Sequence, residues 1–430
     1  MPFMVAAKRL GAAAVPLRVL CAVVAATWLF FGSPAAAGSL LPFTVRGVSY
    51  PAASMPLPAS PCLYARDLPL IAAMGANTVR TYSLLPEGDR TFLAVLESTG
   101  LNWLAGFPLE PYYDSAVPIT ARREEILTAL RHYVMRFRGH RRVLGYVFGN
   151  DVPADYARKF AGSPDDFFAL LAGAAAVLRE SDPDRTPLLT TAVSNPAEML
   201  REVPALSFWS WNAGTRTSFG PVLVLARSTA SRPVLVSEFG PATSDERAAA
   251  VSAAGLASEV EPSERVLGAI YASFDMQNGL FSTFLQPDDA PTLVPRPVFY
   301  RLAGIWGGNF PPAWKETVPP RLDPPDTALT PGAVVRLAGA ALTTGGAPFS
   351  DEAWPYHLGG ICLCVNGLPA RLAFVSAQAV NAQIPPAVAA GPATLVLYRA
   401  GKASNVSELR VAELSTGASS GPITEARLRH

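Results

Sequence analysis

The chain has 430 residues, half of them hydrophobic, and carries 35 basic against 34 acidic side chains. Such a length and apolar content exclude disorder throughout and predict a large core with a second module beside it. The near-cancellation of charge removes the electrostatic case for nucleic acid or an anionic membrane surface and favours a neutral partner.

Residues 1–37 read as a secretory leader. Lys8, Arg9 and Arg18 precede an apolar stretch from Val19 to Phe31, and Pro34-Ala-Ala-Ala37 follows with small residues at Ala35 and Ala37. A retained membrane anchor is the alternative, and either way the remainder is exported. After cleavage no membrane attachment is expected, so the protein is placed outside a bacterial cytoplasm: secreted, periplasmic or on the cell surface.

From residue 43 to about 315, short apolar runs alternate with longer amphipathic segments. The strand candidates are Thr44 to Tyr50, Thr78 to Ser83, Asn102 to Phe107, Val143 to Asn150, Leu188 to Val193, Ser207 to Asn212, Val234 to Glu238, and Leu280 to Gln286. Helices are predicted at Ala65 to Met74, Arg90 to Ser98, Thr120 to Phe137, Pro164 to Ser181, and Ser244 to Ala257. Charges crowd the helices and desert the strands, as in a parallel sheet buried on both faces. Eight such runs predict an α/β fold, a (β/α)8 TIM barrel over residues 38–315. An open doubly wound sheet would share the pattern, but Gly47-Val-Ser-Tyr-Pro51 after the first strand lacks the glycines a pyrophosphate needs. No cofactor is expected.

Two strands end in acids. Val234-Leu-Val-Ser delivers Glu238 into Phe239-Gly240, and Val143-Leu-Gly-Tyr-Val-Phe-Gly leads to Asn150-Asp151. Strand ends of a barrel open onto its catalytic face, and two carboxylates there are the minimum for cleaving a glycosidic bond. The bland alternatives are a structural ion pair for Glu238 with Arg80 and a helix cap for Asp151 ahead of Val152-Pro153. Trp209 and Trp211 share one face of their strand. Core packing is the default for both, while Trp211 is the better candidate to stack on a sugar ring. Tyr50, Tyr82, Tyr112, Tyr113 and Asp114 lie just past their strands as candidate subsite residues, and Glu110 and Asp114 are the nearest substitutes for Asp151. No Gly-x-Ser-x-Gly elbow occurs, which sets aside a serine hydrolase.

Cys21 leaves with the leader. Of Cys62, Cys362 and Cys364, the last two share a strand face, and an odd count cannot pair completely, so neither a disulfide framework nor a zinc site is predicted. His132, His140, His357 and His430 lack ligand spacing, and no metal is expected. Residues 316–330 lie in a proline-rich stretch and read as a linker. Beyond it, Val334 to Ala338, Ile361 to Val365, Arg371 to Val375 and Ala393 to Arg399 predict a small immunoglobulin-like β-sandwich over 331–415, with Asn366-Gly367 as a hairpin turn, then a flexible tail over 416–430. Asn405-Val-Ser407 matches a glycosylation triplet, a pattern that arises readily by chance.

With these motifs in place, residues 43–310 resemble the clan A glycoside hydrolases, retaining enzymes on a (β/α)8 barrel that include mannanases and β-glucanosyltransferases. The resemblance rests on Val45-Arg-Gly-Val-Ser-Tyr50, Gly75-Ala-Asn-Thr-Val-Arg80, Asn150-Asp151 and Ser237-Glu238-Phe-Gly240. It implies an oligo- or polysaccharide substrate with β-linkages. Glu238 would be the nucleophile, Asp151 the acid/base, Arg80 the cation that keeps Glu238 ionised, and Asn150 a donor to the sugar 2-hydroxyl. The clan uses glutamate where this chain has Asp151, whose carboxyl is drawn back by about 1.5 Å. A barrel that binds glycan without cleaving it is therefore the alternative. The sixth strand, Phe208 to Gly214, lacks the clan's tyrosine, and the run taken as the eighth offers Phe281 and Phe284 instead of a tryptophan. The second module resembles a domain at the end of secreted acidobacterial proteins, through Gly332-Ala-Val-Val-Arg-Leu-Ala-Gly339, Val365-Asn-Gly367 with Ala370, and Asn381-Ala-Gln-Ile-Pro385. Trp354 and Tyr356 leave adhesion to sugar and simple spacing equally open for it.

Overall fold

The computed structural model describes residues 40–50, 60–85, 91–240, 243, 245–260, 263–272, 283–285, 293–308, 318–343, 346–348 and 354–413. The expected leader and tail lie outside them.

Eight parallel strands close into a barrel: β1 (Val45–Ser49), β2 (Thr78–Arg80), β3 (Asn102–Phe107), β4 (Val143–Asn150), β5 (Leu188–Val193), β6 (Trp209–Gly214), β7 (Val234–Phe239) and β8 (Val266–Tyr271). Each pairs with its neighbours in chain order, and β8 returns to β1 with Val45 opposite Gly268. Seven strands fall on the predicted runs; the eighth does not. Val266–Tyr271 closes the ring. Of the expected Leu280 to Gln286 run, Phe284–Leu285 forms a two-residue ladder with Val294–Pro295, and the remainder apart from Thr283 lies outside the described residues.

Helices cover the outside, beginning with α1 (Ser60–Ala73). The helix Pro164–Ser181 shows how the sequence starts one: Ser163 accepts from the Asp165 amide, Asp166 reaches back to the Ser163 amide, and proline takes the first position. Strand residues alternate. Trp103, Phe107, Phe148, Trp209, Trp211 and Phe239 join the helix-facing core, while Thr190, Ser210 and Asn212 turn the other way, with Thr190 Oγ1 bonded to Ser210 Oγ at 3.0 Å.

That alternation breaks at the two strand ends of interest. On β4 the pairs Val147–Thr190 and Asn150–Ala192 set three residues against two. Gly149 absorbs the extra residue at φ 73°, where a Cβ would lie 2.5 Å from Val152 Cγ2. On β7, Trp211–Val236 and Asn212–Glu238 leave one surplus residue, and the β8 side shows the same surplus. Bulges of this kind re-aim side chains.

The second module consists of antiparallel sheets. Arg321–Leu322, Val334–Ala340, Ala379–Gln383, Arg371–Val375 and Ala347–Pro348 form one; Leu368–Pro369, Ile361–Val365, Gly391–Arg399 and Lys402–Ala403 form the other, with Ser407–Val411 also on Gly391–Arg399. Asn366 and Gly367 take φ 47° and 76°, as a two-residue hairpin turn requires. Part of the expected linker belongs to this sandwich. Leu322 and Leu329 are in its core, and the Asn405 side chain clamps Leu322 by accepting from its amide and donating to its carbonyl, both at 2.9 Å.

Ile361–Val365 is buried on both faces. Ile361, Leu363 and Val365 point into the sandwich core, whereas Cys362 and Cys364 join the core of the barrel. No disulfide framework was predicted, but one bond forms, between Cys364 and Cys62 on α1: the shared strand face predicted for Cys362 and Cys364 meets a third cysteine, with 302 residues separating the bonded pair. Cys362 carries the remaining thiol, its Sγ 3.0 Å from Cys62 Sγ. A crosslink closing so long a loop stabilises by about 2–4 kcal/mol. Cys364→Ser is expected to leave Cys62 oxidised to Cys362, which non-reducing peptide mapping would detect. Recovery of both as thiols would contradict this.

Candidate active site

Arg80, at the end of β2, is the centre of a polar network at the carboxyl-terminal mouth. Its guanidinium is 1% exposed and donates to Asn150 Oδ1 (2.7 Å), Asn212 Oδ1 (3.2 Å) and the Ser237 carbonyl (2.8 Å). It lies 3.7 Å from Glu238 Oε2, an ion pair whose carboxylate side remains 30% exposed. Among the described residues Glu238 Oε2 accepts no hydrogen bond, although the atom is buried. The guanidinium thus sets a positive charge beside a carboxylate at the edge of the cleft.

Tyr82 lies against the same cation, its ring centre 4.6 Å from the Arg80 guanidinium carbon, and its hydroxyl bonds to Ser49 Oγ at 3.1 Å. Burial, opposed by Arg80 and reinforced by Glu238, pushes its phenol up to about 12. It therefore stays protonated at neutral pH and able to donate.

Asn150 uses Oδ1 for Arg80 and for Asn212 Nδ2 at 2.9 Å, which turns its own Nδ2 away from the network. Asp151 follows in the left-handed region at φ 51°, its amide bonded to Ala192 O at 2.9 Å. It caps no helix. Its Oδ2 accepts from Asn212 Nδ2 at 2.9 Å, its Oδ1 is buried without a partner among the described residues, and its carbonyl accepts from Lys159 Nζ.

Glu238, Asp151, Arg80, Asn150 and Tyr82 thus share one neighbourhood. Tyr50 and Trp211 do not reach it. Tyr50 is fully buried and donates to Asp67 Oδ2 on α1 at 2.9 Å. Trp211 is also fully buried, its indole bonded to Ser194 O at 3.3 Å and its ring edge-on to Phe219, so it packs the core and offers no sugar platform. Phe281, part of the aromatic lining expected for the eighth strand, lies outside the described residues.

Glu110 is exposed and lines a niche of about 20 Å³ with Arg80, Tyr82 and Asn150, the space of one water molecule and not of a sugar ring. Burial, then Glu110 and Asp151, push the phenol of Tyr113 above its ordinary range. Asp114 is occupied locally, accepting from the Ala116 amide at 2.9 Å. Asn212 escaped notice as a site residue; the signal available was its alternation with Trp211, which sends it to the lumen. Among the described residues no three His, Cys, Asp or Glu side chains converge as metal ligands, and no helix is long and apolar enough to cross a membrane.

No family model matches the chain, and no curated protein matches it. Among solved structures it is similar to Saccharomyces cerevisiae Gas2p in complex with compound 8, at 18% identity over 63% of this chain and 65% of that one, with a TM-score of 0.47. A Gas2p variant bound to laminaritetraose and laminaripentaose gives 18% identity, coverages of 63% and 64%, and a TM-score of 0.45. For Bacteroides uniformis β-glucuronidase the values are 14%, 86% of this chain, 46% of that one and 0.48. The chain spans less than two thirds of the length of each.

Proposed function

We propose that this clan A glycoside hydrolase-like barrel is an exported enzyme that cleaves or transfers a β-linked glycan with retention of configuration. Glu238 attacks the anomeric carbon as the bond to the leaving oxygen breaks, and Asp151 gives that oxygen a proton. Asp151 then takes a proton from water or an acceptor hydroxyl, which displaces Glu238. Asn150 Nδ2, turned away from Arg80, is the donor offered to a substrate hydroxyl. The observation carrying this reading is that both acids sit on one hydrogen-bonded frame of Arg80, Asn150 and Asn212 at the barrel mouth. Export rests on the leader-like residues 1–37, and the Cys62–Cys364 disulfide fits an oxidising compartment.

The test is digestion of a mixed β-glycan panel by wild type and Glu238→Gln. Wild type is expected to release product and the variant to fall to background, while Asp151→Asn loses about 10²–10⁴-fold on unactivated substrates. Equal rates from wild type and Glu238→Gln would remove Glu238 from the mechanism. Binding without cleavage is the second reading, favoured by the shorter reach of Asp151 and by the burial of Trp211 and Tyr50. A wild type that retains glycan but releases no reducing ends would select it.

A further inference from the structure

We infer that Asn212 is a positioning residue that fixes the acid/base carboxylate of Asp151 and selects Oδ1 as the oxygen that carries the proton. The inference rests on the reading of Asp151 as acid/base. The orientation of the Asn212 amide is dictated by its neighbours. Arg80 can only donate, and it reaches Asn212 Oδ1 at 3.2 Å, alongside the Ser237 hydroxyl at 3.0 Å. The amide nitrogen must therefore face the other way, where it meets Asn150 Oδ1 and Asp151 Oδ2, each at 2.9 Å. All four contacts are met in this orientation, whereas a flipped amide would turn its nitrogen toward the Arg80 guanidinium.

The consequence falls on Asp151. Oδ2 faces an N–H, which cannot accept a proton, so a protonated Asp151 carries its hydrogen on Oδ1. That oxygen is buried and has no partner among the described residues, an arrangement costly in a resting carboxylate unless another group uses it. The backbone on either side is held as well, by Ala192 O on the amide and by Lys159 on the carbonyl. Among the described residues Asn212 is the one side chain that donates to this carboxylate. In the first half reaction the Oδ1–H bond breaks as the proton passes to the leaving oxygen; in the second, Oδ1 recovers a proton from water or the acceptor. Asn212 touches neither reacting atom and acts through Asp151.

A positioning role predicts dependence on the leaving group. Dinitrophenyl β-glycosides need little protonation as they leave, whereas phenyl β-glycosides need it fully. With the glucosides, mannosides, galactosides and glucuronides as the panel, Asn212→Ala is expected to slow phenyl glycosides by about 10²-fold while dinitrophenyl glycosides fall only severalfold. Asn212→Asp keeps the shape and removes the donor, and it should reproduce this split if Asn212→Ala fails to fold. An equal fall on both leaving groups, with Glu238→Gln still inactive, overturns the role of Asn212 and leaves the proposed activity standing. A wild type that turns over none of the panel, and whose Glu238 is not labelled by a cyclitol aziridine, overturns both.

Discussion

Replacing Arg80 by methionine is expected to abolish turnover and to lower the unfolding free energy by about 2–4 kcal/mol. Methionine keeps a flexible unbranched stem, shorter than arginine's, and supplies no donor. Asn150 Oδ1, Asn212 Oδ1 and the Ser237 carbonyl would each lose a charged donor, and Glu238 would lose its counter-charge. The cost stays below that of a sealed ion pair because Glu238 still reaches solvent. Lysine would not restore the site, since a single ammonium cannot bridge strands β4, β6 and β7 as the planar guanidinium does. Urea denaturation checks the stability and the glycoside panel checks the turnover. A variant as stable as wild type would mean that water replaces the guanidinium, and the frame described above would not depend on Arg80.

Much of the barrel was legible because buried parallel strands leave continuous apolar runs, and β3, β4 and β5 fall on their predicted residues. The eighth strand was misplaced for the same reason. Val266-Leu-Gly-Ala-Ile-Tyr271 is diluted by glycine and alanine, and the more aromatic Leu280 to Gln286 outbid it. At the site, sequence order placed Glu238, Asp151, Arg80, Asn150 and Tyr82 near strand ends, but period-two counting cannot assign their directions. Ser237 and Glu238 are adjacent, yet Ser237 bonds to Asn212 while Glu238 pairs with Arg80, which requires the bulge on β7. Trp211 and Asn212 were distinguished only by which parity faces the lumen. Tyr50 was drawn away by Asp67 on a helix seventeen residues on, and no local pattern announces such a partner.

The second module keeps a core of its own, yet Cys362, Cys364, Tyr398 and Ala403 belong to the core of the barrel. Cys62, Arg66 and Leu70 form one stripe of α1 at successive four-residue steps. Cys62 is bonded to Cys364, the Arg66 guanidinium lies 6.0 Å from the Tyr398 ring, and Leu70 meets the turn at Gly401. Beneath the stripe, Arg66 Nε donates to Asp67 Oδ1 at 2.6 Å, and burial pushes the Asp67 carboxyl up against the pull of Arg66. Asp67 in turn accepts from Tyr50, the residue after Ser49, whose hydroxyl bonds to Tyr82.

A chain ending at residue 318 would uncover that stripe, lose a crosslink that contributes about 2–4 kcal/mol, and admit water to the Arg66–Asp67 pair. It is expected to aggregate or to melt well below wild type, and any folded fraction to turn over more slowly through Tyr82. Gly401→Val probes the same contact with the chain intact. Gly401 stands at φ 80°, and a Cβ there would lie 2.6 Å from Leu70 Cδ2, so a β-branched side chain meets both backbone strain and collision, about 1–3 kcal/mol for the backbone alone. The variant should melt lower and expose the Cys362 thiol to alkylation in the native state. A truncated barrel that is monomeric, melts like wild type and keeps full turnover would show that α1 needs no cover and that the sandwich contributes nothing to the site.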